Sequence, residues 1–133
     1  MGRVIYGQDI HPGLTHRLTL VTIDDVDWLV DVGFGALGPR VPVPLSGAEC
    51  ADGWRRFRVA ERQAGEFHLQ LLQDGDWFSL YRFERQQYGE SDCELGHFYS
   101  HRHPAATFVN NLVVARLLPE RILSLRNRSE EHT

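Results

Sequence analysis

A chain of 133 residues with 42% hydrophobic and 11% aromatic residues is long enough for one packed domain, or one and part of another, and too apolar for bulk disorder. Its net charge of −4 and pI near 5.9 argue against a nucleic-acid surface, which needs an electropositive stripe; the basic residues scatter as on a solvated face. No run approaches the roughly 18 consecutive apolar residues of a membrane span, and Val4-Ile5-Tyr6 is too short for a signal peptide. Two cysteines, Cys50 and Cys93, without a C-x-x-C, suit a reducing cytoplasm better than a disulfide framework.

The first residues read as a strand with no cap or linker before them, so the chain is expected to start inside a larger fold. Arg17 to Ile23 is rich in leucine and β-branched residues, Asp24-Asp25 turns the chain, and Trp28 to Val32 returns. Gly33 to Pro39 reads as a loop. Val41-Pro42-Val43-Pro44-Leu45 is extended, and its prolines confine it to a sheet edge. Beyond a loop over Gly47 to Gly53 come strands at Arg56 to Ala60, Glu66 to Gln73 and Trp77 to Phe83, the last two joined by the turn Asp74-Gly75-Asp76. Asp92 to Tyr99 suits a short helix ending before His103-Pro104. Phe108 to Leu117 fits helix or strand, and its β-branched content favours strand. Ile122 to Arg126 alternates like a strand and runs into Arg128-Ser129-Glu130-Glu131-His132-Thr133. One frame of a common sequencing adapter would encode that hexapeptide, so it is expected to be non-native and to pack against nothing; a natural polar tail fits the same composition. The expected fold is mainly β: an antiparallel barrel or curled sheet of six to eight short strands, with a short helix near residues 92–99.

One local constellation carries chemistry. With Asp24 and Asp25 as the two loop residues of a hairpin, Asp31 falls opposite Leu18. His16 shares Leu18's face because strand side chains alternate. His16 is then the diagonal neighbour of Asp31, with roughly 7–8 Å between backbone positions and within side-chain reach; a slip of one residue would separate them. A carboxylate accepting one ring N–H fixes the imidazole tautomer and leaves the other nitrogen to deprotonate a nucleophile, the orienter-and-base half of a triad. The plainer alternative is a buried His–Asp bridge with no chemistry, since an aspartate among Leu29, Val30 and Val32 needs a partner in any case.

The string Thr15-His16-Arg17-Leu18-Thr19-Leu20-Val21 followed by Trp28-Leu29-Val30-Asp31-Val32-Gly33-Phe34-Gly35 resembles the histidine-and-aspartate segment of arylamine N-acetyltransferases. The likeness continues in order: Leu80-Tyr81-Arg82-Phe83 is similar to the family's L-Y-x-F, Phe98 to Pro104 to its W-Y-x-S-T-H-P, and Phe108 to Arg116 to its H-F-x-x-N-L-V-V-A-R. It spans nearly all of residues 3–127. The resemblance implies His16 as the base and Asp31 as its orienter. It also implies Phe34 lining the acyl and amine pocket, and Gly35, and less directly Gly13, letting the pantetheine of acetyl-CoA approach the backbone. Further implications are acetyl-CoA as acetyl donor, a small arylamine or hydrazine as acceptor, and ping-pong transfer through a cysteine thioester. By the same token residues 1–91 would be the barrel domain, 92–127 a short helix and strands leading into a lid, and 128–133 the non-native tail.

The departures from that family are specific. No R-G-G-x-C occurs, and Cys50 and Cys93 both follow the histidine and aspartate, where the family's cysteine precedes them. Neither is expected to be the nucleophile, so the chain reads as an interior fragment, inactive alone. Ser100-His101-Arg102 also departs from the family's S-T. His97, His101 and His103, near Cys93 and Glu94, match no standard zinc spacing, and no metal is expected. Trp28, Trp54 and Trp77 are expected in the core or under loops. No nucleic acid or membrane is expected as a partner. The rival from another class is a non-catalytic β-domain whose cleft binds a small molecule or partner; a rival within thiol chemistry is an amide-forming relative of secondary metabolism.

Overall fold

The computed structural model describes residues 1–127 and 129–132, the last five of the 1–132 span being described by backbone only where they are described at all. The chain is mainly β and antiparallel, as its short alternating runs predict. The strands are β1 (Gly2–Val4), β2 (Thr19–Ile23), β3 (Val26–Val30), β4 (Val43–Pro44), β5 (Cys50–Asp52), β6 (Arg55–Gln63), β7 (Glu66–Gln73) and β8 (Asp76–Glu84), then β9 (Val113–Leu117), β10 (Ile122–Arg126) and β11 (Ser129–His132). Helices α1 (Glu90–Arg102) and α2 (Thr107–Asn110) stand between β8 and β9.

The strands form one five-stranded sheet, β1-β8-β7-β6-β5, and two three-stranded sheets, β2-β3-β4 and β11-β10-β9. The sheets do not close into a barrel. Eleven strands among the described residues exceed the expected six to eight: β5, three residues inside what reads as the loop over Gly47 to Gly53, is too short to show alternation, and β11 falls in the expected tail. Prolines do hold β4 at an edge, beside β3 alone. Asp24 and Asp25 both adopt positive φ, at 50° and 63°, and Asp74-Gly75 does the same at 49° and 82°. These are the left-handed turns whose twist matches a two-residue hairpin, and aspartate tolerates them better than most residues.

The inward faces of β3, β4, β6, β7 and β8 share one core, built on Leu29, Val43, Phe57, Val59, Leu69, Leu80 and Tyr81. Three sequence expectations are corrected here. Trp54 is 46% exposed and neither Trp28 nor Trp77 belongs to the buried core; Trp77 instead stacks under the Arg58 guanidinium, 4.3 Å from its ring centroid. Phe108 to Asn110 belongs to the short helix α2 (Thr107–Asn110), so only Val113–Leu117 of that stretch is strand. The expected loose tail is backbone-paired: Ser129–His132 lies in register along β10, from Arg126↔Ser129 to Leu123↔His132. The side chains of Glu130 and Glu131, on which the tail's packing turns, lie outside the described residues.

Helix α1 runs further than the expected 92–99. Glu90 and Asp92 in its first turn and His101 and Arg102 in its last complement the helix dipole, and Pro104 disfavours helical geometry at His103, which is extended. Gly96 is its one buried residue. A Cβ there would lie 2.6 Å from the Leu14 carbonyl oxygen and 3.4 Å from Thr15 Cα, so the missing side chain is what lets α1 rest on the segment leading to His16.

Candidate active site

Asp31 follows β3 directly, and the hairpin register places it as the sequence argued. Ile23 pairs with Val26 and Thr19 with Val30, so the next step sets Asp31 across from Leu18. His16 lies just before β2, where it pairs with Gly2 in an isolated bridge; Gly2 N–H donates to the His16 carbonyl at 2.6 Å, and His16 N–H returns to the Gly2 carbonyl at 3.2 Å. Because β1 also pairs with β8, matching Val4 to Tyr81, the same short strand brings Tyr81 to the pair.

His16 Nε2 and Asp31 Oδ2 are 2.6 Å apart. Asp31's side chain is fully buried and His16's is 11% exposed. The carboxylate has two further donors: the Tyr81 hydroxyl to Oδ2 at 2.7 Å and the Gly33 N–H to Oδ1 at 3.0 Å. Burial alone would raise the Asp31 pKa. The hydrogen bonds from His16, Gly33 and Tyr81, with the charge of His16, outweigh it, and the pKa falls below its usual 3.8. Tyr81 is driven the other way: burial first, then the adjacent carboxylate, push its pKa well above 10.0. Tyr81 therefore stays a neutral donor. The result is a fixed anion that holds one imidazole nitrogen and leaves Nδ1 without a hydrogen-bond partner among the described residues.

Phe34 completes the wall. Its ring meets His16 edge-on at 5.2 Å and Tyr81 at 5.2 Å, and His16 lies 4.9 Å from Tyr81. Gly35, at φ 107° with open space where a Cβ would point, borders with Phe34 and Asp31 a cavity of about 340 Å³ closed by Pro39, Arg40 and Pro42. Gly13 is exposed in the segment before His16, where a Cβ would lie 3.9 Å from Thr15 Cγ2, and does not line that cavity.

The other candidates are not brought here. Cys50 Sγ donates to the Pro42 carbonyl and Cys93 Sγ faces Met1 Sδ; neither thiol hydrogen-bonds His16. His97 and His101 stack on each other and His103 stacks on Tyr99. A second histidine, His68, also meets a carboxylate, Glu66, at 3.1 Å, but its remaining nitrogen is taken by Ser79 Oγ at 2.9 Å. Of the two, His16 keeps a nitrogen free for a reacting group.

Sequence reasoning quoted Tyr81 within a string but gave its hydroxyl no role. It also read the arginines as a solvated scatter, which Arg55 contradicts. Arg55 is 2% exposed, donates to the Ala36 carbonyl at 2.7 Å and to Asp52 at 2.8 Å, and lies 5.0 Å over the Phe57 ring. Its position on β6 offered a signal: it shares the inward parity of Phe57 and Val59.

A curled antiparallel sheet thus presents a histidine on a buried aspartate, with Phe34 packed against the imidazole. A profile of the N-acetyltransferase family matches residues 1–132, and the chain belongs to the arylamine N-acetyltransferase family. It is 34% identical over 122 residues to the arylamine N-acetyltransferase / N-hydroxyarylamine O-acetyltransferase of Salmonella typhimurium, covering 90% of this chain and 43% of that protein. The solved structure of the Salmonella typhimurium enzyme superposes with a TM-score of 0.86 at 30% identity, over 99% of this chain and 49% of that one. The Mycobacterium marinum enzyme in complex with CoA superposes at 0.83 with 26% identity, over 99% of this chain and 54% of that one. The chain thus spans about half the length of these relatives or less.

Proposed function

We propose that His16 and Asp31 are the base and orienter of a Cys–His–Asp site that moves an acetyl group from acetyl-CoA to a small arylamine or hydrazine. The observation that carries this reading is the 2.6 Å contact of His16 Nε2 with a fully buried Asp31, beside a ring nitrogen with no other task. The thiolate comes from a cysteine in an R-G-G-x-C segment absent from these 133 residues, so this chain is the central part of a longer enzyme. Residues 1–91 form its barrel-like domain and 92–127 lead into a lid over the cleft. The enzyme works in the cytoplasm.

In the first half-reaction the imidazole of His16 takes the thiol proton and becomes imidazolium, stabilised by Asp31. The thiolate attacks the acetyl carbonyl, the bond to the CoA sulfur breaks, and CoA leaves as a thiol after protonation from His16. In the second, the amine nitrogen attacks the thioester, His16 accepts the amine proton, and the cysteine sulfur departs as the amide forms. Phe34 packs the acyl and aromatic groups. Gly35 admits the pantetheine arm, and Gly13 does the same less directly. A CoA-bound relative of the same fold supports CoA as the donor's carrier, and none of these steps requires a metal.

The test is steady-state kinetics of a longer chain that supplies R-G-G-x-C. Parallel double-reciprocal plots for acetyl-CoA and an aromatic amine are expected, with His16→Ala losing at least about a hundredfold in rate. Binding of both ligands without transfer would favour a non-catalytic cleft.

A further inference from the structure

We infer that Arg55 is a positioning residue for the acetyl-transfer pocket: with Asp52 and Arg40 it clamps the loop that carries Phe34 and Gly35. The inference rests on the proposed function only for what that loop is holding. Residues between β3 and β4 have no ladder partners, and a loop of that length with several glycines has many conformations available. Two backbone groups of the loop are held by the Arg55–Asp52 pair. Arg55 donates to the Ala36 carbonyl at 2.7 Å in the middle of the loop. Asp52 accepts the Arg40 backbone N–H at 2.8 Å at its far end. Arg55 and Asp52 are themselves joined at 2.8 Å and both are buried, and Arg40 adds its own guanidinium to the other carboxylate oxygen at 2.9 Å.

The cluster is poorly explained as a stability device. A buried ion pair commonly does no better than apolar residues of the same volume, and Arg55 Nε is buried without a partner among the described residues. What such a cluster does supply is geometry. A planar guanidinium offers separate N–H groups in fixed directions; here one reaches Ala36 and another Asp52. Phe57 beneath the guanidinium, at 5.0 Å, fixes its plane. Gly53, at φ 62°, lets the Arg40 guanidinium lie 3.4 Å from where a Cβ would stand. Arg55 thus reaches the active pair through Phe34, whose ring touches both His16 and Tyr81.

The test reads ring geometry by NMR in the 133-residue chain. Arg55→Lys and Asp52→Asn are expected to weaken the Phe34–His16 and Phe34–Tyr81 ring proximities and to shift the His16 ring protons. Val59→Ala, a core truncation chosen to lower the melting temperature without touching the loop, leaves them in place. Arg40→Ala, whose side chain is 60% exposed and which the fold tolerates, gives a smaller change in the same direction. Unaltered ring contacts in folded Arg55→Lys or Asp52→Asn would overturn the inference. If neither folds, unaltered contacts in Arg40→Ala would overturn it equally. In the longer enzyme, Arg55→Lys is expected to lose about tenfold or more in kcat, as misplacement by a fraction of an ångström does, with little change in melting temperature. Failure of the unsubstituted longer enzyme to transfer acetyl, with the ring contacts moved in the variants, would sink the proposed function alone.

Discussion

Asp31 is held by three donors in a site that water does not reach, and that fixes the sign of its pH dependence. Its folded pKa lies below the usual 3.8, so its contribution to stability is fully present above that value. It is lost as pH falls through the folded pKa. Melting temperature followed downward from pH 6 is expected to decline once the pH passes below about 4. Asp31→Asn should cost about 1–3 kcal/mol at neutral pH, the penalty of mismatched buried hydrogen bonds, and make that acid decline shallower. An unchanged acid limb would mean that the carboxylate is not ionised in the folded chain. The Asp31 contact with His16 was legible from the hairpin register because the side-chain period of a strand is two. Tyr81 was not, since its hydroxyl arrives from β8, fifty residues away in sequence, and no local pattern encodes that pairing.

Among the elements, the hairpins could be read and the short pieces could not. Asp24-Asp25 and Asp74-Gly75 set register within a few residues, so the strands on either side follow. Strand β5 owes its existence to a neighbour: it pairs with β6 inside what reads as a loop, and at three residues it lacks the length to declare itself. Helix α1 was found by composition, yet the contact that docks it was not. Its polar residues and its exposed Leu95 and Phe98 leave Gly96 as the one residue that marks the buried side. Gly96→Ala is expected to destabilise the chain by about 1–3 kcal/mol through overpacking, because its Cβ would strike the Leu14 backbone. Backbone exchange at Thr15 and His16 should rise with it. A variant as stable as the parent chain, with unchanged exchange there, would show that α1 is free to move away.

At the scale of the whole molecule, several apolar side chains stand in solvent. Val32 is 99% exposed, and Leu95, Phe98, Phe108 and Leu112 on and around the two helices are exposed as well. Soluble monomers rarely leave contiguous apolar patches beyond a few hundred Å². The 133-residue chain is therefore expected to self-associate and to bind a hydrophobic dye in its folded state. A sharp monomer peak on sizing with no dye binding would contradict this. Sequence could announce the apolar content of these segments but not their exposure, which depends on what the three sheets leave uncovered.

The central claim is that His16, oriented by Asp31, activates a thiol outside these residues. Mass spectrometry after incubation with acetyl-CoA tests it most directly, on this chain and on a longer one that supplies R-G-G-x-C. A free thiol, with a pKa near its usual value of about 8.5, is mostly protonated at neutral pH, so acetylation needs a cysteine presented to the imidazole. No adduct is expected on Cys50 or Cys93 in this chain. One acetyl group is expected on the R-G-G-x-C cysteine of the longer chain, abolished by His16→Ala. A stable adduct on Cys50 or Cys93 that depends on His16, or none in the longer chain, would contradict the account.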